Sequence, residues 1–174
     1  MLVFIDADTI LPKYFIQSFE NRVDEKHFQA GSFTQKMDSD NLAIRAGAHF
    51  MSGYMRLMQY TPPWPIGFGC LYITKEAFNA VDGFDESLYI MEDYDIILQA
   101  KRAGYKIGII KMGCLASDRR YKNNSLRQIL RGIYGELYRY THGLRITKPI
   151  YEYNMGGEDK DNGKDTDPRN QKIK

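Results

Sequence analysis

Leu2-Val3-Phe4-Ile5-Asp6-Ala7-Asp8-Thr9-Ile10-Leu11-Pro12 is the stretch on which the reading turns. An apolar run that breaks abruptly into acids reads as a buried strand whose carboxyl end opens into a polar loop. In a strict pleat, residues i and i+2 share a face; once the strand ends, Asp6 and Asp8 can both turn toward one point. Carboxylates are hard oxygen ligands suited to Mn²⁺ or Mg²⁺, and a pair of them leaves coordination positions open for phosphate oxygens. Two aspartates at this spacing are a weak signal alone. The apolar lead-in and the following Leu11-Pro12 strengthen it.

Working outward, Pro12 is expected to start a helix through about Arg22, with Tyr14, Phe15, Ile16 and Phe19 as its apolar face. A strand over 28–34 follows, then a helix over about 41–60 capped by Asp38, Ser39 or Asp40. Thr61-Pro62-Pro63-Trp64-Pro65-Ile66-Gly67 is not regular structure, because three prolines remove donors and fix the backbone. A strand over 68–74 leads to a short helix from Lys75 that stops near Asp82-Gly83. Glu92, Asp93 and Asp95 open a helix that ends at Gly104, a strand covers 105–111, and a basic, tyrosine-rich helix covers about 125–143. Helices alternating with short apolar strands make the class α/β, where ligands gather beyond the carboxyl ends of the strands. Asp6 and Asp8 sit at such an end.

A second acidic group lies further along. Asp85, Glu86, Glu92, Asp93 and Asp95 are interleaved with Phe84, Leu88, Tyr89, Ile90 and Met91. A solvated face does not normally mix acids with so many large apolar groups. Helix capping by Glu92 or Asp93 is one reading. The other is catalytic: burial or a second carboxylate raises the pKa of a carboxyl group toward the range useful to a general base.

The chain has 174 residues, 43% hydrophobic and 26% charged, which suits one globular domain with a single core. A formal net charge of +2 lacks the basic excess of a nucleic-acid binder, so no nucleic-acid partner is expected. Cys70 and Cys114 read as two buried thiols in a reducing compartment, and no Cys/His spacing resembles a zinc site. Neither a signal peptide nor a bilayer-spanning run is visible, so the expected location is cytoplasmic, with peripheral contact at the cytoplasmic membrane face as an addition.

Three linked segments now carry a resemblance. Leu2 to Pro12 resembles the D-x-D segment of the family-two inverting glycosyltransferases of the GT-A fold. Cys70-Leu-Tyr-Ile-Thr-Lys-Glu-Ala-Phe-Asn-Ala-Val-Asp-Gly-Phe-Asp-Glu86 is similar to their acceptor-side segment, and Glu92-Asp93-Tyr94-Asp95 to their E-D-x-D element. Ala103-Gly-Tyr-Lys-Ile107 is similar to the strand entry that follows, so order and spacing agree over about residues 1–120. The resemblance implies a mixed sheet flanked by helices and a metal-dependent transfer from a nucleoside-diphosphate sugar, with inversion, to a glycan or lipid-linked acceptor. It implies Asp8 as ligand of Mn²⁺ or Mg²⁺, with Asp6 helping through the metal or the sugar nucleotide. Asp93 is implied as catalytic base, Glu92 lines the acceptor site, and Gly67, Phe68 and Gly69 lie near donor sugar or acceptor. For the glycines, a simple turn is the competing reading.

The departures shape the expectation. Asp82 stands where the family often has glycine, and the Q-x-x-R-W element of processive synthases is absent, which favours transfer of a single sugar. Arg119 and Arg120 occupy that neighbourhood, as phosphate contacts or as a solvated basic turn. The D-x-D strand starts at residue 2, so the nucleotide-binding β-α-β half of a GT-A domain is expected to be lacking and the chain alone to be weakly active or inactive. The expected organisation is a metal- and acceptor-binding half over 1–124, a basic helix over 125–154 and a disordered polar tail over 155–174. Arg127, Arg131, Arg139 and Arg145 interleave with apolar residues in that helix, which either docks onto the domain or rests on anionic lipid through residues 125–145. The alternative to an enzyme is a non-catalytic remnant that serves as a binding module.

Overall fold

The computed structural model describes residues 1–62, 69–119 and 125–150. Its class is α/β. Five strands, β1 (Leu2–Phe4), β2 (Thr9–Ile10), β3 (Ala30–Asp38), β4 (Leu71–Ile73) and β5 (Ile107–Ser117), form one mixed sheet in the order β1-β4-β3-β5-β2. β3 and β5 run parallel, and the other neighbours are antiparallel. The helices are α1 (Phe15–Lys26), α2 (Leu42–Met58), α3 (Lys75–Ala80), α4 (Glu92–Arg102) and α5 (Ser125–His142).

Alternation along the strands sorts side chains onto two faces. Leu71 and Ile73 of β4 join Ala30, Ile107 and Ile109 against Met55 of α2, Ala77 of α3 and Ile96, Ile97 and Ala100 of α4. Cys70 and Tyr72 point the other way, with Phe33, Ile110 and Cys114, against Phe15 and Phe19 of α1. Phe15, Phe19, Phe33 and Tyr72 stack edge to face or tilted at 5.1–5.4 Å between centroids across that layer. Gly31 and Gly108 face each other between β3 and β5, and a Cβ on Gly31 would overlap the Gly108 carbonyl. The missing side chains let the Tyr72 hydroxyl donate to that carbonyl at 2.8 Å.

The local expectations hold in outline and move in detail: of the apolar face expected on the first helix, Phe15 and Phe19 are buried while Tyr14 and Ile16 are exposed. Pro12 forms a turn, accepting from Phe15 N at 3.0 Å, and α1 begins at Phe15 and runs to Lys26. Asn41 caps α2, its Oδ1 accepting from Ala43 N at 2.9 Å; Ser39 Oγ instead accepts from Asn41 N. The strand over 28–34 is shifted to Ala30–Asp38, and the strand over 105–111 starts later and extends to Ser117. A bulge between Phe33 and Gln35 keeps the two in register beyond Gly113, whose N–H donates to Thr34 Oγ1 at 3.2 Å. β2 was not expected. Two residues have no period to read, and Thr9–Ile10 is a strand only because Ala116 and Leu115 pair with it. Gly67, Phe68, Arg120 and the tail from 155 lie outside the described residues.

Candidate functional site

The turn after β1 is closed by Thr9 N donating to Asp6 O at 3.0 Å, which leaves the Asp6 and Asp8 side chains on the exposed outer side of the loop. Asp6 turns toward Gly69. A Cβ on Gly69 would overlap the Asp6 carboxylate, so glycine is required there for close approach of a side chain rather than for an unusual backbone. Asp8 lies 3.8 Å from Arg119 Nη2, at the end of β5. The arginine expected near phosphate is therefore at the D-x-D loop, brought there by the β2–β5 pairing.

β1 also carries the joint to the second acidic group. Phe4 sits at 5.0 Å from Phe84 in a T-shaped contact and at 5.7 Å from Phe78 of α3, while Phe78 and Phe84 contact each other at 5.9 Å. This three-ring cluster packs against the main core and fixes the start of the acidic loop relative to the D-x-D strand.

Glu92 and Asp93 form the first turn of α4, but neither caps it. Met91 holds the N-cap position with no side-chain cap hydrogen bond, and Asp93 Oδ1 accepts from its neighbour Tyr94 N, at 2.9 Å. Met91 has φ 66°, a left-handed conformation that a bulky residue adopts only when its surroundings enforce it. A helix N-terminus ordinarily stabilises a carboxylate. Asp93 nonetheless has its carboxyl pushed up to about 7, first by burial, then by the Glu92 charge, with a smaller push from Asp6 against the opposing Tyr94 N–H. Two residues on, Asp95 is buried, and burial raises its carboxyl against the pull of Gln99, Arg102 and Arg139.

The residues of the loop fit a metal ion only in part. Among the described residues no group of three or more His, Cys, Asp or Glu side chains converges as a metal cage. What the loop offers is two exposed hard carboxylates, a set suited to a cation that also takes phosphate oxygens and water.

Other side chains near the loop carried no local signal. Cys70 follows Gly69 directly, is fully buried, and has its thiol lowered chiefly by its hydrogen bond with Cys114, against burial. Its Sγ lies 3.6 Å from Thr9 Oγ1. Arg145 Nη2 bonds Asp85, and its Nε lies 3.3 Å from Asp95 Oδ1. Arg139 is turned inward, 2% exposed and stacked at 4.3 Å over the Tyr94 ring. Of the arginines expected to interleave with apolar residues there, Arg139 is buried against Tyr94 of α4, whereas Arg145, beyond the end of α5, is exposed and reaches Asp85 and Asp95.

In comparisons with known proteins, no family model matches the chain, and neither a curated protein nor a solved structure matches it.

Proposed function

We propose that this chain is the metal- and acceptor-binding part of an inverting glycosyltransferase using a nucleoside-diphosphate sugar, as the family-two resemblance implies. One observation carries the reading: Phe4 on Phe84 ties the D-x-D strand to the acidic loop before α4, where burial, Glu92 and the D-x-D residue Asp6 hold the carboxyl group of Asp93 up to about 7. A base poised near neutrality is what transfer to a hydroxyl requires.

In the proposed reaction Asp93 accepts the proton of the acceptor O–H. The acceptor oxygen forms its bond to the anomeric carbon as the bond from that carbon to the diphosphate oxygen breaks, and the electron pair leaves with the diphosphate. Glu92 lines the acceptor side and keeps Asp93 basic. Asp6 and Asp8 would hold Mn²⁺ or Mg²⁺, which when bound neutralises charge on the leaving diphosphate. Arg119, 3.8 Å from Asp8, supplies a second cation for the same phosphates. Gly69 lets Asp6 reach its place.

Calorimetry of a UDP-sugar with Mn²⁺ tests the reading. Binding that requires Mn²⁺ and weakens on Asp8→Asn is the expected result; no binding, or binding indifferent to that change, sinks it. Turnover, where present, should fall about 10²–10⁴-fold on Asp93→Asn. Binding without any turnover would favour the non-catalytic module.

A membrane-facing acceptor has its own supporting observation. Leu130, Ile133, Tyr134 and Leu137, at helical spacing on α5, are 49–60% exposed on the side away from Arg139. Among the described residues no helix is long and apolar enough to cross a membrane. Flotation with anionic liposomes, compared with a chain ending near residue 124, tests peripheral contact; equal recovery of the two rules it out.

A further inference from the structure

The chain after α5 folds back onto the acidic loop and grips it at several points. Gly143, with φ 99°, ends α5 and turns the backbone. Arg145 then spreads its guanidinium between two carboxylates, Nη2 on Asp85 and Nε at 3.3 Å from Asp95 Oδ1. Ile146 is 2% exposed, forms an antiparallel bridge with Ile90, and its carbonyl accepts from Tyr89 N at 2.8 Å. The gripped residues, 85, 89, 90 and 95, flank Glu92 and Asp93 on both sides.

Between the grips lies Met91 in its left-handed conformation. A free loop would relax that residue, and the first turn of α4 would reorient with it. The Arg145 and Asp85 side chains are 44% and 30% exposed, so solvent screens the pair and its contribution to global stability is small. A planar fork that joins two carboxylates at fixed angles is better suited to setting geometry.

We propose that Arg145 is a positioning residue for Asp93: by clamping Asp85 to Asp95 it fixes the turn through Met91 that presents the Asp93 carboxyl group. The proposal rests on the reading of Asp93 as the base. It adds a residue distant in sequence that acts through Asp85 and Asp95 and touches neither substrate nor metal.

The test is a ¹³C-carboxyl NMR titration of Asp93 in the whole chain, without metal or nucleotide. The groups that set Asp93 are burial, the Glu92 and Asp6 charges that raise it, and the Tyr94 N–H that opposes them. With the clamp opened by Arg145→Gln, water reaches the turn and the midpoint should fall from about 7 by about one unit. Arg145→Lys, one ammonium without a fork, should recover part of that shift. Asp85→Asn should reproduce it more weakly. A midpoint that stays put or rises in folded Arg145→Gln overturns the proposal, even if the melting temperature drops. Should that variant not fold, unchanged midpoints in folded Arg145→Lys and Asp85→Asn overturn it equally. Because the titration needs no turnover, a clamp-dependent midpoint beside blank UDP-sugar calorimetry would remove the transferase reading alone. Mn²⁺-dependent binding beside a clamp-independent midpoint would remove the clamp alone.

Discussion

The charge of Asp6, at the end of β1, raises the pKa of Asp93, at the start of α4. Residues from opposite halves of the chain thus share one electrostatic environment. Glu92, adjacent in sequence, has the larger influence of the two. Replacing Glu92 by Gln should therefore lower the Asp93 midpoint further than replacing Asp6 by Asn, and both should lower it from about 7. A carboxyl-resolved titration of the two variants checks the order; no shift on Asp6→Asn would separate the two motifs.

The same group makes stability depend on pH. The Asp93 carboxyl is raised from 3.8 to about 7, so between those values the folded chain retains a proton that the unfolded chain has released. Stability contributed by the protonated form is present below about 3.8 and lost as pH rises to about 7. Asn cannot ionise, so Asp93→Asn should gain stability relative to the parent across that window and hold the gain above it. Urea denaturation at pH 5 and pH 8 measures it; a gain no larger at pH 8 than at pH 5 would contradict the sign.

Gly69→Ala tests the close approach of the D-x-D loop. The added Cβ overlaps the Asp6 carboxylate, which is the movable end of an exposed side chain, so the fold should survive with little change in melting temperature. Asp6 would be displaced. Mn²⁺-dependent UDP-sugar affinity should fall about tenfold or more, as it does when the support of a metal ligand is removed. Unchanged affinity would place Asp6 outside the binding set.

Phe33 is the aromatic centre of the α1 face, fully buried and in ring contact with Phe15, Phe19 and Tyr72. Phe33→Ala should cost about 3–5 kcal/mol, since the cavity lies where β3 and α1 cannot collapse together easily. Denaturant unfolding gives the number, and a loss under about 1 kcal/mol would mean that α1 does not depend on this layer.

Much of the fold was legible because local patterns carry it. The acidic start of α4 and Gly104 at its end, with φ 92°, are properties of consecutive residues. The acids of the candidate site, Asp6, Asp8, Glu92 and Asp93, stand in spacings visible in the sequence. The contacts that join their segments do not. Phe4 on Phe84, Asp8 beside Arg119 and Arg145 across Asp85 and Asp95 each join residues far apart in sequence, and no window of the chain contains both members. Arg139 illustrates the limit: in the sequence it is one of several arginines interleaved with tyrosines and leucines, open to docking or to lipid, yet it is buried on the Tyr94 ring.

The sequence by itself determined the α/β class, the main helices and the inventory of acids, because periodicity and turn chemistry act over a few residues. Only the tertiary structure decided that β2 exists, that Asp6 and Asp93 share a field, and that Arg145 grips the acidic loop. Strand pairing, burial and charge coupling are set by which surfaces meet, and that is a property of the folded chain as a whole.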